Sequence, residues 1–179
     1  MNKTTLPIPK HLQSILVPMG EKNNKNRVDG VLRCTCGCET FAVSVYGGKN
    51  GKGICVGAYE EDYALVVRAA CIDCGRKHLV FDMAKHGWNG FVCHDGRSVP
   101  DEELFPWACK KCGSDIHHMT LTISSQGQED FLDELEDEIG EGKEFRAEDW
   151  VEAFGWITIN LVCYDCGYDD EGWIDYETM

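Results

Sequence analysis

Trp156-Ile157-Thr158-Ile159-Asn160-Leu161-Val162-Cys163-Tyr164-Asp165-Cys166-Gly167 is an alternating apolar run that ends in Cys-x-Asp-Cys-Gly. The same pattern stands earlier in the chain, as Ala64-Leu65-Val66-Val67-Arg68-Ala69-Ala70-Cys71-Ile72-Asp73-Cys74-Gly75. Each reads as a strand with one face buried that feeds directly into a paired-cysteine turn. The polar residues Arg68 and Asn160 fall at the same place in the two runs.

A second match lies upstream of each run. Leu32-Arg33-Cys34-Thr35-Cys36-Gly37 leads into Phe41-Ala42-Val43-Ser44-Val45, and Trp107-Ala108-Cys109-Lys110-Lys111-Cys112-Gly113 leads into His117-His118-Met119-Thr120-Leu121-Thr122-Ile123. Each half therefore reads knuckle, strand, insertion, strand, knuckle, and the chain is a duplicated unit. The expected division is an N-terminal segment (1–30), a first module (31–92), a linker (93–106) and a second module (107–179). The modules either pack together or are joined by that linker. In the first 30 residues, Lys10–Val17 has the spacing of a short helix stopped by Pro18, and Gly20–Arg27 reads as a mobile linker.

Eleven cysteines in 179 residues act as the staple that such small modules need. Their odd number suits a disulfide framework poorly, and the N-terminus has no apolar signal core. The expectation is a reducing, cytoplasmic setting, where close cysteine pairs hold metal. Cys109 and Cys112 join Cys163 and Cys166 as one four-thiolate site, and Cys71 and Cys74 join Cys34 and Cys36 as the other. Cys38 is a third thiol in the first knuckle and can replace Cys34 or Cys36. Two zinc ions per chain are expected on these eight thiols. A saturated tetrahedral ion has no open position for water or substrate, so it contributes folding energy rather than catalysis. No acid–base pair or open metal position suggests an enzyme. The glycine-rich stretch Tyr46–Gly53 lacks the spacing of a phosphate loop.

Paired Cys-x-x-Cys-Gly knuckles on hairpins resemble the zinc-ribbon superfamily over most of residues 31–90 and 107–179. The resemblance implies a small, metal-stabilised, mainly β fold of two tandem zinc ribbons, and it carries over metal ligands only. The Cys34-x-Cys36 opening departs from the usual spacing.

Charge separates the halves. Residues 1–90 hold 12 Lys+Arg against 8 Asp+Glu, whereas residues 91–179 hold 5 against 23. The second half repels a phosphate backbone, so nucleic acid is an unlikely ligand there. Its acidic insertion, within residues 128–154, places Phe131, Leu132, Leu135 and Ile139 at helical spacing before Gly140. Trp150, Val151 and Phe154 suggest a second short helix. A solvated acidic face is the plainer account of this insertion, and a helix presented to a basic protein partner is the functional one. Two alternatives stand beside that reading: a rubredoxin-like iron centre for electron transfer, and nucleic-acid binding by Lys49, Lys52, Arg68, Arg76 and Lys77 of the first module.

Other residues carry plainer readings. Cys93-His94-Asp95 imitates a triad, but adjacent side chains rarely meet, so it reads as linker. Cys55 reads as a small buried apolar residue. His117 and His118 sit on a strand and face opposite ways. The five tryptophans read mostly as core.

Overall fold

The computed structural model describes residues 5–47, 64–138 and 145–179. Cys55, Lys49, Lys52, Ile139 and Gly140 lie outside them. The strands are β1 (Leu16–Pro18), β2 (Arg27–Leu32), β3 (Phe41–Gly47), β4 (Leu65–Cys71), β5 (Lys77–Asp82), β6 (Phe105–Pro106), β7 (Ile116–Ser124), β8 (Trp156–Cys163) and β9 (Asp169–Glu177). One helix, α1, spans Gln128–Glu138, and short single turns complete the described residues.

The strands form because their residues alternate. In β7 burial switches at every step, so His117, Met119, Leu121 and Ile123 face inward, while His118, Thr120, Thr122 and Ser124 face outward. In β8, Ile157, Ile159, Leu161 and Cys163 face the same interior.

The duplication is visible residue by residue. β3 pairs with β4 through Phe41↔Cys71 and Ser44↔Arg68, and β7 pairs with β8 through His117↔Cys163 and Thr120↔Asn160. The β4/β5 ladder shifts register between Val67 and Arg68, and the β8/β9 ladder shifts between Ile159 and Leu161. Both repeats thus carry an irregularity at the corresponding place.

The two repeats share one sheet. β3 meets β7 antiparallel through Phe41↔His117 and Ala42↔Ile116. The strand leading into each first knuckle pairs with the other repeat: β2 lies on β7 (Val31↔Thr120, Gly30↔Leu121), and β6 lies on β3 (Pro106↔Ser44, Phe105↔Val45). The sheet curls around one continuous core that includes Phe41, Val43, Phe81, Leu121, Phe154 and Ile159, each no more than 1% exposed. Each such side chain contributes about 1.5–3 kcal/mol by leaving water.

Some local expectations need correction. Lys10–Val17 is not a helix. Lys10–Leu12 make one 3-10 turn, and Leu16–Pro18 pair with Gly30–Leu32 as β1. Leu12, Ile15 and Leu16 still bury together, so the apolar spacing was real but is satisfied by a turn followed by a strand. Gly20–Arg27 is not an open linker. Asn24 and Arg27 close a hydrogen-bonded turn, and the Asn23 side chain binds the Asp29 main chain on both sides, donating to its carbonyl and accepting from its N–H. In the acidic insertion, Phe131 is buried and Leu135 half-buried against Trp88, Trp150 and Val151, whereas Leu132 is exposed. Residues Ala147–Val151 form a 3-10 turn, and Phe154 lies beyond it in the main core. Among the described residues no helix is long and apolar enough to cross a membrane.

Candidate metal centres

Each centre is built where two knuckles close against each other. In the first repeat the Cys34–Cys38 turn lies between β2 and β3, and the Cys71–Cys74 turn joins β4 to β5. The second repeat matches: Cys109–Cys112 lies between β6 and β7, and Cys163–Cys166 joins β8 to β9. Backbone bonds hold the second knuckles identically, Gly75 N–H to Cys71 O and Gly167 N–H to Cys163 O, both at 2.9 Å. Gly75 and Gly167 take φ values of 70° and 68° with no atom near an added Cβ, so glycine is needed there for conformation, not space. A further bond ties each second knuckle to its partner strand: Ile72 N–H to Thr40 O, and Tyr164 N–H to Ile116 O.

The sulfurs converge as a result. Cys34, Cys36, Cys71 and Cys74 form one group and Cys109, Cys112, Cys163 and Cys166 the other, with all four Sγ atoms of a group within 4.8 Å of one another. Diagonal contacts repeat between groups: Cys34–Cys74 and Cys109–Cys166 at 3.6 Å, Cys36–Cys71 and Cys112–Cys163 at 3.5 Å. Four sulfurs at about 2.3 Å from a tetrahedral zinc stand roughly 3.8 Å apart, so the clusters fit such an ion with a small expansion. None of the eight sulfurs is joined in a disulfide.

Each group favours one thiolate, on the second knuckle in the first repeat and on the first knuckle in the second, and both groups disfavour it at the matching Cys36 and Cys112. Burial pushes the Cys71 thiol up, but N–H groups of Cys74 and Asp73 and the neighbouring thiols outweigh it and bring Cys71 down to about 6. Cys109 falls to about 6 against the same burial, through N–H groups of Cys112 and Lys111. Cys36 is lowered by the Cys38 N–H, yet Cys71 and burial push it up to about 12; Cys112, despite the Ser114 N–H, is pushed to about 12 by Cys166 and Cys163. One thiolate is welcome in each group and further ones repel it. A dication held by the four sulfurs would offset that repulsion and favour the thiolate form of each ligand.

The sequence-predicted ligands therefore all come together, and Cys38 lies beside the first group, next to Cys71, without being one of its four converging sulfurs. Its Sγ accepts from Thr40 N–H at 3.4 Å, and its place in the second repeat is taken by Ser114. The surroundings differ at one further point. His78 Nε2 lies 3.3 Å from Cys34 Sγ, a contact that the sequence did not disclose, whereas the corresponding Asp170 pairs with Lys110 at 3.0 Å.

The remaining candidates take structural places. Cys93 and His94 are exposed in a turn, with His94 at φ 58°. His117 is buried and His118 half-buried, its Nδ1 3.0 Å from Glu39 O. Of the basic residues considered for nucleic acid, Arg68 is paired with Asp101 at 2.6 Å, Lys77 reaches the same carboxylate at 3.9 Å, and Arg76 bonds Thr35. Trp88, Trp150 and Trp173 are buried and Trp107 packs on Trp173, while Trp156 is 37% exposed. Compared with known proteins, the chain has no significant match to a family model, a curated protein or a solved structure.

Proposed function

We propose that this chain is a non-catalytic zinc protein, built as two zinc-ribbon units sharing one sheet, that binds a basic partner protein through its acidic second half. The observation that carries the metal reading is the closure of both four-thiol groups. All four ligand positions are filled by the chain, which leaves a metal no site for substrate or water. Close cysteine pairs hold metal in a reducing, cytoplasmic setting, which is the compartment this reading implies. The partner reading rests on charge: 23 acidic against 5 basic residues over positions 91–179.

Metal analysis of protein purified under reducing conditions tests the first part. Two equivalents of zinc and a colourless solution are expected, and stripping them should abolish the folded near-ultraviolet signal. A red solution with stoichiometric iron instead identifies the rubredoxin-like chemistry. Titration with a cationic peptide tests the second part: binding should weaken as salt rises, and an anionic peptide should not bind.

A further inference from the structure

The two repeats differ most on their outward sheet faces. In the first repeat that face is covered by the chain itself. The segment from Arg97 to Leu104 lies across β3 and β4, burying Val99 with Ala64 and Val66 beside Tyr46, Leu79 and Leu104. Its Asp101 meets Arg68 of the sheet at 2.6 Å, and its Arg97 donates to the Tyr46 hydroxyl at 2.9 Å. This short segment, irregular up to Pro100 and then turned once at Asp101–Glu103, is thus held by apolar contact and by an acid on the cover against a base on the sheet.

On the second repeat the corresponding face is open. Register equates Val66 with Thr158, Arg68 with Asn160, Ser44 with Thr120 and Tyr46 with Thr122. Of these, Thr122, Thr158 and Asn160, with Trp156, Glu171 and Asp175, line a trough of 550 Å³. Asp175 is fixed by two donors on the same oxygen, Trp156 Nε1 at 2.5 Å and Thr158 Oγ1 at 2.9 Å. Neither Asp175 nor Glu171 pairs with a cation among the described residues, and both are exposed. Arg27, the cation at the trough's edge, is already held by Asp29 through two bonds, at 2.8 and 3.0 Å. The polarity is the reverse of the first repeat: here the sheet supplies the acids.

We propose that this outer face of the second repeat is the docking site for an extended, arginine- or lysine-bearing segment of a partner protein, lying where Arg97–Leu104 lies on the first repeat. The cations of that segment would meet Asp175 and Glu171, and the exposed Trp156 ring would supply apolar or cation–π contact. The inference rests on the partner reading above and locates it on β7–β9 instead of on α1, whose Phe131 and Leu135 are spent against Trp88 and Trp150.

The test is a titration of the zinc-loaded full chain with a short peptide of alternating arginine and threonine, followed by nitrogen–proton NMR. The Trp156 indole N–H, bonded to Asp175, is the reporter. The expected result is a shift of that signal and of the Thr158 and Asn160 amides, with affinity falling about tenfold in the E171Q/D175N variant. Among the described residues Glu171 enters no ion pair, so E171Q alone keeps the test valid if the double variant is unstable, with a smaller loss expected. A control variant of α1, E129Q/D130N/D133N, should bind as the parent does. Shifts confined to α1 and abolished by the control variant overturn the docking site while leaving the basic-partner reading intact. No binding at any salt overturns both. Shifts spread evenly over the whole acidic surface, with equal losses in both variants, overturn the site as well.

Discussion

Phe41 and His117 sit opposite each other where β3 meets β7, and they are the same position of the two repeats. Each is also directly paired with the first ligand of its own second knuckle, Phe41 with Cys71 and His117 with Cys163. A local two-fold relation therefore runs through this pair, with the metal groups displayed on either side. The exchange of β2 and β6 follows the same relation, because Pro106↔Ser44 and Phe105↔Val45 on β3 repeat Val31↔Thr120 and Gly30↔Leu121 on β7. Neither repeat completes its own sheet, so the two should fold and unfold together.

Phe41→Ala should show that coupling. Phe41 is fully buried, and its truncation is expected to cost about 3–5 kcal/mol. One denaturation transition should shift as a unit, and a colorimetric chelator should draw metal from both groups sooner, not from the first alone. Two separated transitions would show that the repeats are independent.

Ligand identity in the first knuckle is testable by serine exchange. Cys36→Ser should reduce bound zinc from two equivalents to one, because Cys36 lies in the first group. Cys38→Ser should leave two, since serine already occupies that position, as Ser114, in the second repeat. Elemental analysis of the folded protein separates the outcomes, and loss of zinc in Cys38→Ser would place Cys38 among the ligands.

The parts of this fold that are local in the chain were legible in the sequence, and the parts that depend on distant partners were not. Alternation in Met119–Ile123 and Ile157–Val162, and the knuckles that bound them, follow from neighbouring residues. The three-way choice among Cys34, Cys36 and Cys38 was open in sequence because spacing alone does not say which sulfurs point inward. β1 was misread because Leu12, Ile15 and Leu16 satisfy a helical period by accident, while Leu16–Pro18 take their conformation from pairing with Gly30–Leu32. The pairing of β2 with β7 joins residues about ninety positions apart and leaves no periodic trace. His78 was invisible as a neighbour of Cys34 for the same reason.

That neighbour has a measurable consequence. Hydrogen bonds to ligand sulfurs steady the metal, and their loss typically lowers affinity about 10–100-fold. His78→Phe should therefore speed zinc release from the first group under a competing chelator and leave the second, which has Lys110 and Asp170 at that place, unchanged. Equal release from both groups in the variant would remove His78 from this role.

Replacing Gly75 tests the knuckle conformation. Its positive φ strains any L side chain although open space surrounds it, so Gly75→Ala should cost about 1 kcal/mol and Gly75→Asn less. Denaturant midpoints of the zinc-loaded protein compare them, and a larger loss for asparagine would point to crowding instead of strain.

The final prediction concerns acid. His11 and His86 stack at 3.7 Å between ring centres, beneath the strand that carries Val80 and Phe81. Burial holds both neutral: His11 is lowered to about 4, against weaker support for its charge from Val80 O and Asp82, and His86 to about 2, with His11 and Lys85 adding to the effect. His86 Nδ1 accepts the Asp82 N–H at 3.0 Å, a bond that requires an unprotonated nitrogen. An unfolded histidine titrates near 6.5, so between about 6.5 and 4 the unfolded chain binds more protons than the folded one. The stabilisation is complete above pH 6.5 and is lost as pH falls, with a slope approaching about 1.4 kcal/mol per pH unit for each histidine. The thiolate sites also weaken in acid, so the measurement compares parent with His11→Gln at each pH while zinc is monitored. A shallower pH slope in the variant, at equal zinc occupancy, is expected. Identical slopes would show that the histidine pair contributes nothing to acid sensitivity and that metal release accounts for all of it.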